Sequence, residues 1–221
     1  MAVSLIIFDL DGTLIDSAGD ISTALNYAIR PYGLPAVTLE ETKAYIGEGV
    51  TIMIEKLLAL KGTISLNKKT LTKRFLEYYS SHLVANTAPY PEVRETLERL
   101  SPCRKAVISN KLTGLAEKTL DALDLLKHFE LVAGGDSSSE RKPSPVPILR
   151  VLSLLDVAPH EALMVGDSVY DIAAGRAADL KTVAVTYGYG AAGFSDGSNF
   201  IIDRFSRLLE VIRNLDEGIS G

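Results

Sequence analysis

Residues 7–16 read Ile-Phe-Asp-Leu-Asp-Gly-Thr-Leu-Ile-Asp, and the rest of the chain is best read outward from them. The stretch closes an apolar run, residues 3–8, with the composition of a buried strand. Asp9 and Asp11 come next, and then Gly12 and Thr13 break the strand. Aspartate is depleted in strands and costly to bury without a partner, so two of them at a buried strand end require compensation. A divalent cation supplies it, because Mg2+ takes oxygen ligands from one or two carboxylates together with a substrate phosphate. Asp-Gly-Thr alone also fits a solvated strand-to-turn junction. The segments downstream decide between the two.

Three such segments follow. Ala106-Val107-Ile108-Ser109-Asn110 is a strand ending in a hydroxyl residue. Arg141-Lys142-Pro143-Ser144-Pro145 sets a lysine ahead of a helix, and Gly166-Asp167-Ser168-Val169-Tyr170-Asp171 is Gly-Asp-x-x-x-Asp after a strand. Together with Asp9, Asp11 and Thr13, these match in type and order the motifs of the haloacid dehalogenase-like hydrolase superfamily, which the chain resembles over nearly its whole length. The resemblance implies an α/β fold: a Rossmann-like parallel sheet core with helices on both faces and an inserted α-helical cap domain. It implies a Mg2+-dependent phosphatase that hydrolyses a small phosphate monoester through an aspartyl-phosphate. The metal ligands implied are Asp9, Asp11 through its backbone carbonyl, and Asp167, with Asp171 as a further ligand or an acceptor behind them.

The chemistry assigns roles within that pattern. Phosphoryl transfer needs an in-line nucleophile, neutralised charge and a proton donor for the leaving oxygen. Asp9 is the nucleophile expected, Asp11 the general acid and then the base. A divalent cation does not by itself balance two carboxylates and a phosphate dianion, so Lys142 is needed as a compact cation. Ser109, Asn110 and the amides of Gly12 and Thr13 can donate to phosphoryl oxygens. Alone, Lys142 reads as a solvated loop lysine; its place between the second and fourth motifs changes that.

Composition agrees with a cytoplasmic enzyme. With 28 acidic against 23 basic residues, the net charge of −5 argues against nucleic acid or an anionic membrane as partner. The one cysteine, Cys103, cannot close an internal disulfide. No apolar run approaches the ~18 residues of a membrane span, and the first residues lack a secretory pattern. The partner expected is a small phosphorylated metabolite, with oligomeric state left open.

Apolar runs at 105–109, 129–132, 162–165 and 181–185 alternate with helical patterns near 91–100, 112–126, 145–155, 169–178 and 203–214, as a parallel sheet requires. A Gly- and Ser-containing tail follows. Residues 17–85 break the alternation, with helical spacing of Ile21, Leu25, Ala28 and Ile29, then Ile52, Leu57, Leu58 and Leu60, then Leu71, Phe75, Leu76, Tyr79 and Leu83. The expected division is therefore a core of 1–16 and 86–221 and a cap of 17–85. Thr87-Ala88-Pro89-Tyr90-Pro91 reads as a stiff hinge. Tyr78 and Tyr79 read as helix-packing residues.

Selectivity is the least legible property. Ile46-Gly47-Glu48-Gly49 lies where capped relatives carry a specificity loop, and two glycines between helices also make an ordinary turn. Gly47 and Gly49 are substrate-binding candidates, with Lys43 a candidate partner for a substrate carboxylate. Asp11 argues against the dehalogenase members, which lack an acid there. A β-phosphoglucomutase-type isomerase would carry His-x-x-Ala-Trp after the first motif, where this chain has Ser22-Thr23-Ala24-Leu25-Asn26. Phosphoglycolate phosphatase-like members are the most similar, through Asp16-Ser17, Lys142-Pro143-x-Pro145 and Tyr187-Gly188-Tyr189-Gly190. Pyrophosphatases, nucleotidases and a non-catalytic phosphate-binding module remain alternatives. Pro91-Glu92 stands where such relatives have Pro-Gly.

Overall fold

The computed structural model describes residues 3–62, 66–190, 193 and 195–218; the Gly- and Ser-containing end, 219–221, lies outside them. A six-stranded parallel sheet forms the centre. Its strands are β1 (Leu5–Phe8), β4 (Arg104–Ile108), β5 (Leu131–Ala133), β6 (Ala162–Gly166), β7 (Lys181–Val185) and β8 (Phe200–Ile202). They lie in the order β5-β4-β1-β6-β7-β8. Ile6 pairs with Lys105 on one side and Leu163 on the other.

Alternation along each strand builds two cores, because successive side chains leave opposite faces. Ile6, Phe8, Val107, Leu163, Val165, Val183 and Val185 face one layer. Leu5, Ile7, Ala106, Ile108, Ala162 and Met164 face the other. The first layer is closed by α5 (Val93–Arg99), α6 (Thr113–Ala122) and α9 (Leu208–Asp216), the second by α7 (Val146–Leu155) and α8 (Val169–Ala177). Strands buried on both faces explain why these runs read as continuous apolar stretches.

Chain order reverses at β1, whose neighbours β4 and β6 lie on opposite sides. In open α/β sheets such a switch point, at the carboxyl ends of the strands, is where ligands bind. Asp9 follows β1, Ser109 follows β4 and Asp167 follows β6. Three elements thus deliver their polar ends to one crevice.

Between β2 (Ile15–Asp16) and β3 (Ala88–Pro89), which pair as a short antiparallel ribbon, lie α1 (Ala18–Ile29), α2 (Leu39–Tyr45), α3 (Val50–Leu60) and α4 (Lys68–Tyr79). These helices have their own core, which includes Ile21, Leu25, Ile54, Leu57, Leu71 and Phe75. In α3 the buried face is Met53, Ile54, Leu57 and Leu58, whereas Leu60 is 69% exposed. Two residues past Leu58, the helix has rotated Leu60 by roughly 200°, off the apolar stripe. Among the described residues no helix is long and apolar enough to cross a membrane.

The connection into and out of this bundle is tied by one buried carboxylate. Asp20, in the first turn of α1, accepts from the amides of Asn86 and Thr87, from the Asn86 side-chain amide (2.8 Å) and from the Thr87 hydroxyl (2.7 Å). These bonds favour its ionised form and hold its pKa below the usual value although burial opposes them.

Candidate active site

The crevice brings together every strand-end residue singled out by sequence. Asp9, Ser109, Asn110, Lys142, Asp167 and Asp171 are all buried. The Lys142 ammonium stands 2.7 Å from Asp9 Oδ1, 2.6 Å from Asp171 Oδ1 and 2.7 Å from the Ile108 carbonyl. Those three acceptors match the three N–H donors of an ammonium. Burial works against its charge, but Asp171 and Asp9 outweigh burial and hold Lys142 above its ordinary pKa.

Asp171 faces Lys142 with one oxygen and Ser168 with the other, its Oδ2 accepting from the Ser168 amide (3.0 Å) and hydroxyl (2.5 Å). Asp167 accepts from the Thr13 hydroxyl at 3.0 Å and the Tyr189 amide at 2.7 Å. Thr13 is thereby a partner of Asp167, and its hydroxyl joins the first motif to the fourth. Gly12 has φ +94, and a Cβ there would lie 2.2 Å from Asp167 Oδ2. Only glycine lets the two motifs approach so closely.

One oxygen from each of Asp9, Asp167 and Asp171 falls within 4.8 Å of the others. Desolvation, reinforced by neighbouring carboxylates, raises Asp9 from 3.8 to about 7 and outweighs Lys142. Burial and the same crowding raise Asp167 well above its usual range. Clustered hard oxygen donors with surplus negative charge fit a divalent cation of the Mg2+ type.

Asp11 lies on the other side of Asp9 and is tied differently. Its Oδ1 accepts from the Ser17 hydroxyl at 2.6 Å and from Lys111 Nζ at 2.9 Å. Lys111 in turn donates to the Tyr79 hydroxyl of α4 at 2.6 Å. Sequence reasoning missed Lys111, and it read Tyr79 as a packing residue. Tyr79 does stack on Phe75, but its hydroxyl reaches across to the core. The available signal was position: Lys111 directly follows Ser109-Asn110, although a lysine in a loop ordinarily reads as solvated.

Asn110 joins the two lips of the crevice. Its side-chain amide donates to the Gly47 carbonyl (2.8 Å) and the Lys142 carbonyl (2.9 Å), and its oxygen accepts from the Lys142 amide. Ser109 Oγ accepts from the Lys111 amide at 3.3 Å. Gly47 and Gly49 have φ +122 and +85, and a Cβ on Gly49 would lie 2.8 Å from the Asn110 carbonyl. Lys43 opens onto an outer cleft, 5.8 Å above the Tyr189 ring. Lys56 pairs with Glu48. The Tyr187–Gly190 segment serves as a strut, since the Tyr187 hydroxyl donates to the Thr13 carbonyl and that of Tyr189 to Asp16.

A parallel sheet whose central strand ends gather carboxylates around a buried lysine, beneath inserted helices, defines a capped Rossmann-like α/β fold with an acidic site at its switch point. The chain belongs to the haloacid dehalogenase-like hydrolase family, whose model matches residues 6–185. It is 41% identical over 212 residues to a phosphoglycolate phosphatase of Aquifex aeolicus, covering 95% of this chain and 97% of that one. A phosphoglycolate phosphatase of Photorhabdus laumondii is 38% identical, covering 95% and 92%. A crystal structure from Haemophilus somnus, described as a predicted phosphoglycolate phosphatase, superposes with a TM-score of 0.90 at 31% identity, covering 94% and 97%. The chain is thus an enzyme of the phosphoglycolate phosphatase-like hydrolases.

Proposed function

We propose that the protein is a Mg2+-dependent phosphatase that hydrolyses a small phosphate monoester of the phosphoglycolate type through an aspartyl-phosphate on Asp9. One observation carries it: carboxylates from β1 and from the β6–α8 junction converge on a single buried lysine at the switch point. The names of the relatives support the substrate class. Fold alone would not assign it.

Asp9 and Asp167, with the Asp11 carbonyl, would hold the cation. When bound, it neutralises phosphoryl charge and favours ionised Asp9. Lys142 holds Asp9 in one orientation, with Asp171 fixing Lys142 from behind. The Asp9 carboxylate attacks phosphorus, and Asp11 gives its proton to the departing alkoxide as the ester P–O bond breaks. Asp11 then takes a proton from a water whose oxygen attacks the phosphoenzyme, which releases inorganic phosphate and restores Asp9. The Ser109 hydroxyl donates to the transferring group; the Gly12 and Thr13 amides, expected from sequence to do the same, are instead taken up by the Ile15 and Leu10 carbonyls of the turn. Residues 17–85 act as a cap that excludes bulk water during the first step, with 86–91 and the Asp20 anchor as its hinge.

Phosphate release should require Mg2+ and stop with chelator, for phosphoglycolate and for a small aryl phosphate alike. Asp9→Asn should lower kcat by at least about 10^4-fold, in the range that removal of a nucleophile reaches elsewhere. Undiminished turnover by that variant removes Asp9 as nucleophile. Full activity in chelator removes the metal.

A further inference from the structure

Beyond Asp9 and Asp11, away from the carboxylate cluster, lies a cavity of about 60 Å3. Its walls are largely apolar and come from both parts of the chain, with Ile21, Val50, Met53 and Phe75 on the inserted helices and Leu112 and Leu115 on the core. A water-sized group needs about 10–15 Å3 of such space, so the cavity suits a leaving group of only about four to six non-hydrogen atoms. Apolar walls reject an unpaired charge. Among the described residues that line the cavity, Lys111 is the one cation.

Lys111 is well placed for more than holding Asp11. Its side chain is only 6% exposed, and a buried ammonium at an apolar wall stabilises a fold poorly compared with a hydrophobic residue. Its partners are Asp11, at 2.9 and 3.3 Å to the two oxygens, and the Tyr79 hydroxyl. An ammonium has three donors, and the contact to Asp11 Oδ2 at 3.3 Å is the longest of its three, so a substrate carboxylate can take that donor. Under the proposed function, Asp11 faces the ester oxygen of the leaving group. In an O-phosphorylated two-carbon acid the carboxylate carbon is two bonds from that oxygen, and Lys111 is one hydrogen bond from Asp11. A carboxylate in the cavity therefore meets the Lys111 ammonium, whereas Lys43 opens onto the outer cleft.

We propose that Lys111 is a specificity residue whose ammonium binds a carboxylate on the leaving group, selecting short phosphorylated hydroxy acids over neutral phosphate esters of equal size. The inference rests on the phosphatase function above. Its test compares kcat/KM for phosphoglycolate and for its primary amide, which has the same shape without the charge, in Mg2+-loaded enzyme. The wild type should prefer the acid. Lys111→Met should lose at least tenfold more on the acid than on the amide, with the differential loss in KM, and Lys111→Arg should retain more of the preference than Lys111→Gln. If Met at this position prevents folding, Lys111→Gln carries the same comparison. Parallel losses on both substrates, seated in kcat, would overturn the inference and leave Lys111 acting only through Asp11. A wild type indifferent to the carboxylate would overturn it while the phosphatase function stands. Failure to hydrolyse these two esters and an aryl phosphate would overturn the phosphatase function itself.

Discussion

The two sides of the crevice are built on opposite principles. On the strand-end side, Asp9, Asp167, Asp171 and Lys142 are buried and interlocked, with Thr13, Ser168 and Tyr189 fixing the carboxylates. On the cap side the wall is mostly apolar, and the link between charged groups is the Lys111–Asp11 pair capped by Tyr79. A rigid polar network suits the part of a substrate that is always the same, the phosphoryl group. An apolar wall with one charge suits the part that has to be chosen, because shape and a single complementary charge discriminate between leaving groups.

The strand-end network should break hardest. Lys142→Met leaves Asp9 and Asp171 buried without their cation. Breaking a buried ion pair from one side costs about 3–5 kcal/mol, and loss of a preorganised charge at the reacting group costs about 10^2–10^3 in kcat. Chemical denaturation and steady-state kinetics on the same preparation should show both losses. A variant as stable as the wild type would mean that the network is not what holds the strand ends together.

Gly49→Val tests whether the lips can be separated. The residue has φ +85, and its Cβ would strike the Asn110 carbonyl, so the loop should lift from the core. Activity should fall about tenfold or more on phosphoglycolate and aryl phosphate together, as expected of a closure residue. A change confined to substrate ranking would return Gly49 to the specificity role expected from sequence. Gly47 has more room, since its Cβ would meet the edge of Tyr170 at 3.3 Å.

What the sequence revealed divides along the same line. Asp9 was legible because a carboxylate at the end of an apolar run is locally anomalous and demands a partner, whereas Asp167 and Asp171 were legible through the resemblance of Gly166–Asp171 to the family's fourth motif. Alternation between strands and helices was legible from 105 to 185 because the strands are buried on both faces. β8 was missed: it has three residues at the sheet edge, and Ile201 is 59% exposed. The β2–β3 ribbon has two residues per strand, too few for any period to register. Lys111 and Tyr79 are 32 positions apart and belong to different parts of the fold. Apart from the place of Lys111 directly after Ser109-Asn110, nothing local marks them, because their role is created when the cap meets the core.

Proton and metal should compete on the strand-end side and not on the cap side. Asp9 is raised in the folded, metal-free protein to about 7 from 3.8, and Asp167 is raised as well. A carboxyl raised by folding binds its proton more tightly folded than unfolded. That contribution to stability is complete below the ordinary value, falls as pH rises, and is gone above the folded pKa. In chelator, these groups should therefore lower the melting temperature as pH rises from about 4 to about 7. Added Mg2+ should restore it, with a larger gain at about pH 7.5 than at about pH 5, because cation and protons compete for the same oxygens. A Mg2+ gain independent of pH, or one that survives Asp167→Asn, would put the cation elsewhere.

The smallest effect belongs to neither side and calibrates the others. Glu92 opens α5 with φ 67 in the left-handed region, where glycine is the residue free of strain. A non-glycine residue there costs about 1–2 kcal/mol. Glu92 Oε2 accepts from the Ser206 hydroxyl at an exposed position, which returns about 0.5–1 kcal/mol. Glu92→Gly should therefore stabilise the protein by about 0.5 kcal/mol net, a rise of about 1–2 °C in Tm for a chain of this size, without altering the substrate preference that Lys111 is proposed to set. A fall in Tm would show that the Ser206 bond, which ties the start of α5 to the segment ahead of α9, outweighs the backbone strain. The departure from glycine would then be an exchange of local backbone comfort for a long-range tie across the sheet's first layer.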